Sequence, residues 1–280
     1  METITLENSH VKIDVLKDFG GKITSLYFKP TQEELLFQPT NGYHMPFLGE
    51  DFSLYDTSGI DDCFPTVDPC VMGRLSIPDH GSLWSIPWVL SKDRDVLHLS
   101  VQDPITGILV EKKLYLEKNH LKMSYQLTNI TKDPTAFLWV FHGLFQMQPK
   151  AQLILPMDRS LMMQVHGKKG NFNLEYEEEY PAGESFKWYF SEPVPANGTI
   201  GYRNPRTTVL FHYDRKIIPY LGLWVTTGGF KGEVNWALEP STGFYDSLEK
   251  VRATNTEVPL EPGEKFEFTF TIEIKEAYHG

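Results

Sequence analysis

Phe266-Glu267-Phe268-Thr269-Phe270-Thr271-Ile272-Glu273-Ile274 alternates apolar and polar residues without a break. A β-strand turns successive side chains to opposite faces, so this stretch reads as a strand with one face on a core. It follows Leu260-Glu261-Pro262-Gly263-Glu264, where the Pro-Gly pair marks a turn. The same period recurs upstream. Leu121, Met123, Tyr125 and Leu127 alternate with Lys122, Ser124, Gln126 and Thr128, and Val11, Ile13 and Val15 begin it near the N-terminus. Two further runs, Ala136-Phe137-Leu138-Trp139-Val140-Phe141 and Tyr220-Leu221-Gly222-Leu223-Trp224-Val225, are apolar on both faces and predict central strands. Turns are expected at Asp103-Pro104, Asn197-Gly198 and Gly228-Gly229. No stretch longer than about 12 residues shows helical periodicity, and the acidic segment from Asn171 to Glu179 fits either a helical turn or a loop. With no repeat, low-complexity segment or linker, the expectation is one large antiparallel all-β domain over residues 1–280.

Composition narrows the function classes. The chain has 280 residues, 41% hydrophobic and 22% charged, which suits a globular domain with a core large enough to hold a pocket. Lysine and arginine number 26 against 37 acidic residues, so net charge is 26 − 37 = −11. That sign argues against nucleic acid and anionic membranes as partners and points to a small molecule. The two cysteines, Cys63 and Cys70, make neither a disulfide framework nor a zinc-finger spacing. The N-terminal Met1-Glu2-Thr3-Ile4-Thr5-Leu6-Glu7 lacks the basic start and apolar centre of a signal peptide. No apolar run approaches the ~20 residues of a membrane helix. A reducing cytoplasm is the expected location, where the sequons at Asn129 and Asn197 carry no glycan.

Four segments hold residues suited to chemistry. In Asn235-Trp236-Ala237-Leu238-Glu239-Pro240-Ser241-Thr242-Gly243 an apolar run delivers a carboxylate and then meets a turn signal. Glu239 is either a structural carboxylate capping that turn or one poised to take a proton. His142 follows the apolar run at Phe141 and precedes Gly143, where it reads either as a core histidine bonded to backbone or as an acid-base group. His80 lies in Pro78-Asp79-His80-Gly81-Ser82-Leu83-Trp84, a proline-flanked loop. Aromatic rings beside polar groups suit a sugar cleft, although packed tryptophans in a turn look the same in sequence. The segment Asp56-Thr57-Ser58-Gly59-Ile60-Asp61-Asp62-Cys63-Phe64-Pro65-Thr66, three acids and a glycine before Phe-Pro, supplies either hydroxyl acceptors or Asx-type turn formers.

Taken in order, these segments resemble the aldose 1-epimerase, or galactose mutarotase-like, family over nearly the whole chain. Phe19-Gly20-Gly21-Lys22-Ile23-Thr24-Ser25-Leu26 is similar to its opening hairpin. Pro78-Asp79-His80-Gly81 resembles the element carrying a first active-site histidine, and Phe141-His142-Gly143-Leu144-Phe145 resembles the strand carrying a second. Leu238-Glu239-Pro240-Ser241-Thr242-Gly243 is similar to the turn bearing the catalytic glutamate. The arginine-rich segment of the galactose branch is missing, with Arg74 a loose substitute, and the second histidine sits in a different local sequence. The resemblance implies a large twisted antiparallel β-sandwich with a site in an open cleft. It also implies interconversion of sugar anomers with Glu239 as base, His142 as acid and His80 in support. Asp61, Asp62, Arg74, Trp84 and Trp224 are then the candidate substrate-binding residues. No metal or cofactor is expected, because carboxylate and imidazole exchange protons near neutrality. The alternatives are a carbohydrate-binding protein without turnover, a metal-dependent β-sandwich enzyme and a glycosidase using Asp61 or Asp62. An anionic sugar would require a basic pocket, for which Arg74, Arg203 and Arg206 are the candidates.

Overall fold

In a computed structural model of the protein, the Phe266 stretch lies within a twelve-residue strand, Lys265–Glu276. It pairs antiparallel with His120–Asn129 on one side, Phe270 opposite Met123, and with Thr207–Tyr213 on the other. The structure describes residues 2–167 and 183–277; the segment from Asn171 to Glu179 lies outside them.

Among the described residues, the long strand sits inside an 8-stranded sheet that ends at Gln152–Ile154 on one side and Val89–Asp93 on the other, and an 11-stranded sheet faces it. Six adjacent strands form its middle: Lys22–Phe28, Ile60–Cys63, Val140–Gly143, Val234–Ser241, Tyr220–Thr227 and Ser185–Phe190, in that spatial order. Between the sheets lies one continuous apolar cluster, with Ile60, Phe141, Leu221, Leu223 and Leu238 from one side meeting Met123, Leu127, Phe268 and Phe270 from the other. Alternation puts these residues inward, and removing their apolar surface from water drives the two sheets together. The large antiparallel β-sandwich expected from the sequence is therefore observed.

Two elements differ from the sequence reading. The Ala136–Phe141 run is not one strand. Thr135–Phe137 pairs with Val258–Leu260 in a separate ribbon, and the chain joins the large sheet only at Val140–Gly143. The break is held by Thr242, whose hydroxyl accepts from the Trp139 N–H, while Leu138 N–H donates to the Pro65 carbonyl. Glu239 is not at a strand exit either; the Val234–Ser241 strand continues through Pro240 to Ser241. A short helix, Leu248–Ala253, is capped by the Ser247 hydroxyl accepting from Lys250 N–H. Among the described residues no helix is long and apolar enough to cross a membrane.

Candidate active site

The outer face of the large sheet carries a row of polar side chains where the inner face is apolar. Asp61 pairs with His142, and Gly222 with Glu239. Between the two middle strands Val140 pairs with Ser241, and just beyond, Phe145 pairs with Trp236. Both pairs share one register, which sets His142 directly across from Glu239. Because Ile60, Phe141 and Leu238 point into the core, their neighbours Asp61, His142 and Glu239 share the opposite face. Above this face lies a cavity of about 470 Å³, lined by Glu239, His142, His80, Lys187, Asp246 and Trp224 among others.

Glu239 is 1% exposed, and one oxygen, Oε2, accepts from the Lys187 ammonium. Lys187 sits on Ser185–Phe190, two strands from Glu239, and it reaches the carboxylate across Gly222. A Cβ on Gly222 would lie 3.0 Å from Glu239 Oε2 and 3.0 Å from the Tyr189 ring. Glycine keeps the strand between them bare at that position and leaves room for the ion pair. Lys187 also lies 3.8 Å from Asp246. Burial pushes the Lys187 ammonium down, but Glu239 and Asp246 outweigh it and hold the group charged. Burial raises the Asp246 carboxyl in spite of Lys187. The Asp246 carbonyl accepts the N–H groups of Val67 and Asp68, which fixes this loop at the cavity wall. Glu239 Oε1, Asp246 Oδ1 and Asn235 Oδ1 are buried acceptors without a hydrogen-bond donor. Buried acceptors are seldom left so unless a ligand or water supplies the donor.

The histidines form the other wall. His80 has φ 56° and precedes Gly81, whose φ of 71° allows Gly81 to bridge to Phe64. A Cβ at Gly81 would sit 1.9 Å from the Phe64 carbonyl oxygen, so only glycine lets the loop approach and deliver His80. The His80 ring stacks on Phe52 at 4.1 Å and meets the His142 ring edge-on at 5.0 Å. His80 Nδ1 is 3.1 Å from Asp79 Oδ2, which also accepts the Phe52 N–H. Burial pushes the Asp79 carboxyl up, but His80 and the Phe52 N–H overcome it and hold the group below the usual carboxylate range. His142 is buried, its Nδ1 has no partner, and burial drives its pKa well below 6.5, with His80, Lys187 and Lys22 pushing the same way. The sequence reading needed a His142 cation to protonate the ring oxygen. Desolvation and nearby positive charge oppose that cation, so His142 is a neutral imidazole at pH 7.

The structure brings Glu239, His142, His80 and Trp224 to one cavity and places the other candidates elsewhere. Asp61 is buried against Lys22 at 2.9 Å, and Lys22 also binds Asp56 at 2.7 Å. Burial, opposed by Lys22, raises the Asp61 carboxyl to about 6. Asp62 points the other way, into the sandwich, where it takes Lys112 at 2.8 Å, Tyr125 at 2.9 Å and the Trp139 indole at 3.0 Å. Arg74 is exposed at the turn between Cys70–Met72 and Leu75–Ile77. Trp84 is buried behind the wall, its ring edge-on to Phe52 at 5.1 Å and its indole N–H donating to the Asp79 carbonyl. Neither Arg203 nor Arg206 lines the cavity. Sequence reasoning missed Lys187, Asp246 and Asn235. Lys187 had a readable signal, since it interrupts the apolar run Phe186-Lys187-Trp188-Tyr189-Phe190 much as Glu239 interrupts its own.

No family model matches the chain, and no curated protein matches it at a significant level. Solved structures do. The Slr1438 protein of Synechocystis sp. PCC 6803 superposes with a TM-score of 0.74 at 17% identity, over 99% of this chain and 96% of that one. A galactose mutarotase-like protein from Lactobacillus casei gives 0.69 at 16% identity, over 98% and 100%. Galactose 1-epimerase from Lactobacillus acidophilus gives 0.58 at 14% identity, over 99% and 95%. The chain thus has the galactose mutarotase-like fold. At these identities the likeness carries the architecture and no further.

Proposed function

We propose that the protein is an isomerase of the aldose 1-epimerase type, interconverting the α and β anomers of a sugar by opening and reclosing its ring. One observation carries this reading. A buried glutamate with a free Oε1 stands across from His142, with His80 beside it, in a cavity of about 470 Å³. Glu239 Oε1 accepts the proton of the C1 hydroxyl as the C1–O5 bond breaks. O5 takes a proton from His80, whose Nδ1 lies 3.1 Å from the Asp79 carboxylate. The open aldehyde turns about C1–C2, and the ring closes on the other face. Glu239 then returns its proton to the C1 oxygen, and His80 recovers its proton from the C5 hydroxyl. His142, held neutral, orients the sugar by hydrogen bonding. Lys187 anchors Oε2 and leaves Oε1 to react. Each positioned acid or base contributes about 10²–10⁴-fold, so no cofactor is required.

Exchange spectroscopy by NMR over a panel of neutral, phosphorylated and acidic aldoses tests this. Faster anomer exchange than in buffer for at least one sugar is expected. Binding without acceleration across the panel would make the protein a sugar-binding module instead.

A further inference from the structure

The lack of any short-range ligand motif suggests a site without metal, yet folding creates what the spacing lacks. The Ile60–Cys63 strand puts Cys63 on the same outward face as Asp61, beneath the His80 loop. The Cys63 sulfur and one ring nitrogen each from His80 and His142 all lie within 4.8 Å of one another. The nearest sequence separation among them is 17 residues, which is why no motif announced them.

We propose that Cys63, His80 and His142 form a three-ligand site for a thiophilic divalent cation, Zn²⁺ above all, whose occupation shuts off the chemistry of the cavity. A thiolate and two imidazoles are the donor set that zinc takes in tetrahedral sites, and three protein ligands leave a fourth position for water. Zn–S and Zn–N bonds of about 2.3 and 2.0–2.1 Å set ligand atoms roughly 3.4–3.6 Å apart, so the rings must turn by about an ångström. No hydrogen bond holds the buried His142 Nδ1 in its present place. The local field favours a cation as well. Burial, with Glu239, Asp61 and Asp79 close by, pushes the Cys63 thiol well above its ordinary pKa. Those carboxylates oppose a bare thiolate but attract the positive ion that would neutralise it. On binding, the thiol gives its proton to solvent as the S–Zn bond forms, so affinity rises with pH. The inhibitory half of the proposal rests on the acid-base reading above, because zinc would bind the two imidazoles that reading uses. The binding half does not.

The test uses the full chain stripped of metal by chelation and titrated with Co²⁺ as a spectroscopic probe, then with Zn²⁺ by equilibrium dialysis. Wild type should show a near-ultraviolet sulfur-to-cobalt band and bind one Zn²⁺ per chain. Cys63→Ser, with Cys63→Ala as a second variant if the first misfolds, should lose the band and weaken Zn²⁺ at least about tenfold. The variant should keep anomer exchange and resist the zinc inhibition that wild type shows. Equal zinc affinity in wild type and variant, or absence of the cobalt band, would overturn the site. Zinc bound at Cys63 without loss of exchange, or with faster exchange, would overturn the inhibitory role. A protein that showed the cobalt band but no exchange with any sugar would refute the proposed activity and, with it, the inhibitory half, while upholding the metal site.

Discussion

Asp62 and Glu239 are both buried carboxylates on neighbouring parts of one sheet, 2% and 1% exposed, and each meets a lysine. Their surroundings differ. Asp62 faces the core, and both its oxygens are used, Oδ2 by Lys112 and Oδ1 by Tyr125 and Trp139. Glu239 faces the cavity, and only Oε2 is used. Burial and a paired lysine therefore do not separate a structural carboxylate from a reactive one. Between these two, the remaining unsatisfied acceptor on the cavity side does, because leaving it empty costs stability that a ligand recovers.

Breaking the inner pair should have the largest effect on stability. Asp62→Ala strands the Lys112 charge in the core and should cost about 3–5 kcal/mol in denaturant unfolding. A double change, Asp62→Leu with Lys112→Met, should regain most of that loss. If Asp62→Ala unfolds at the wild-type midpoint, the two carboxylates are not the opposites described here.

On the outer face the effect should fall on rate. His80→Asn removes the proton donor and should slow exchange about 10²-fold while leaving the unfolding midpoint nearly unchanged. His142→Asn should be milder, since its role is orientation; the reverse order in rate measurements would return the acid role to His142.

His142 also makes stability depend on pH. Its folded pKa lies below the ordinary 6.5, so above that pH both states are neutral and stability is complete. As pH falls below 6.5, the unfolded chain takes a proton that the folded one refuses, and stability is lost. Asp61, raised to about 6, acts in the opposite sense, losing stability as pH rises from 3.8 toward 6. Comparing wild type with His142→Asn removes that common contribution. Wild type should lose up to about 1.4 kcal/mol per pH unit relative to the variant on acidification. Parallel stability curves would refute the neutral, desolvated imidazole.

The smallest change is Gly222→Ala. Its methyl meets Glu239 Oε2 and the Tyr189 ring, and the displaced carboxylate should slow exchange about tenfold. Unaltered kinetics would show that the Lys187–Glu239 pair tolerates movement.

Much of this was legible in sequence. Alternation from Phe266 to Ile274 and from Leu121 to Leu127 gave the sandwich faces, since both strands keep one register against each other. Glu239, His142 and His80 stood out as candidates in apolar or glycine-flanked settings, and the fold brings the three to one cavity. What failed was direction. Asp61 and Asp62 are adjacent in sequence and so point to opposite faces of a strand, and only the pairing of that strand with Val140–Gly143 decides which of them faces outward. A clue existed in Ile108, Val110, Lys112 and Leu114, an inward row with one lysine that demands a buried acid. The protonation of His142 was not legible, because it depends on burial and on Lys187 and Lys22, which are distant in the chain. The Cys63–His80–His142 cluster was hidden for the same reason.

The most direct measurement is NMR exchange spectroscopy on wild type and Glu239→Gln side by side, with the sugar that wild type turns over fastest. The change is nearly isosteric and keeps a partner for Lys187, but an amide cannot take the C1 proton. The account predicts a fall of about 10²–10⁴-fold in exchange, with sugar binding and unfolding midpoint retained. Near-normal exchange in Glu239→Gln would contradict it and would remove Glu239 from the chemistry of the cavity.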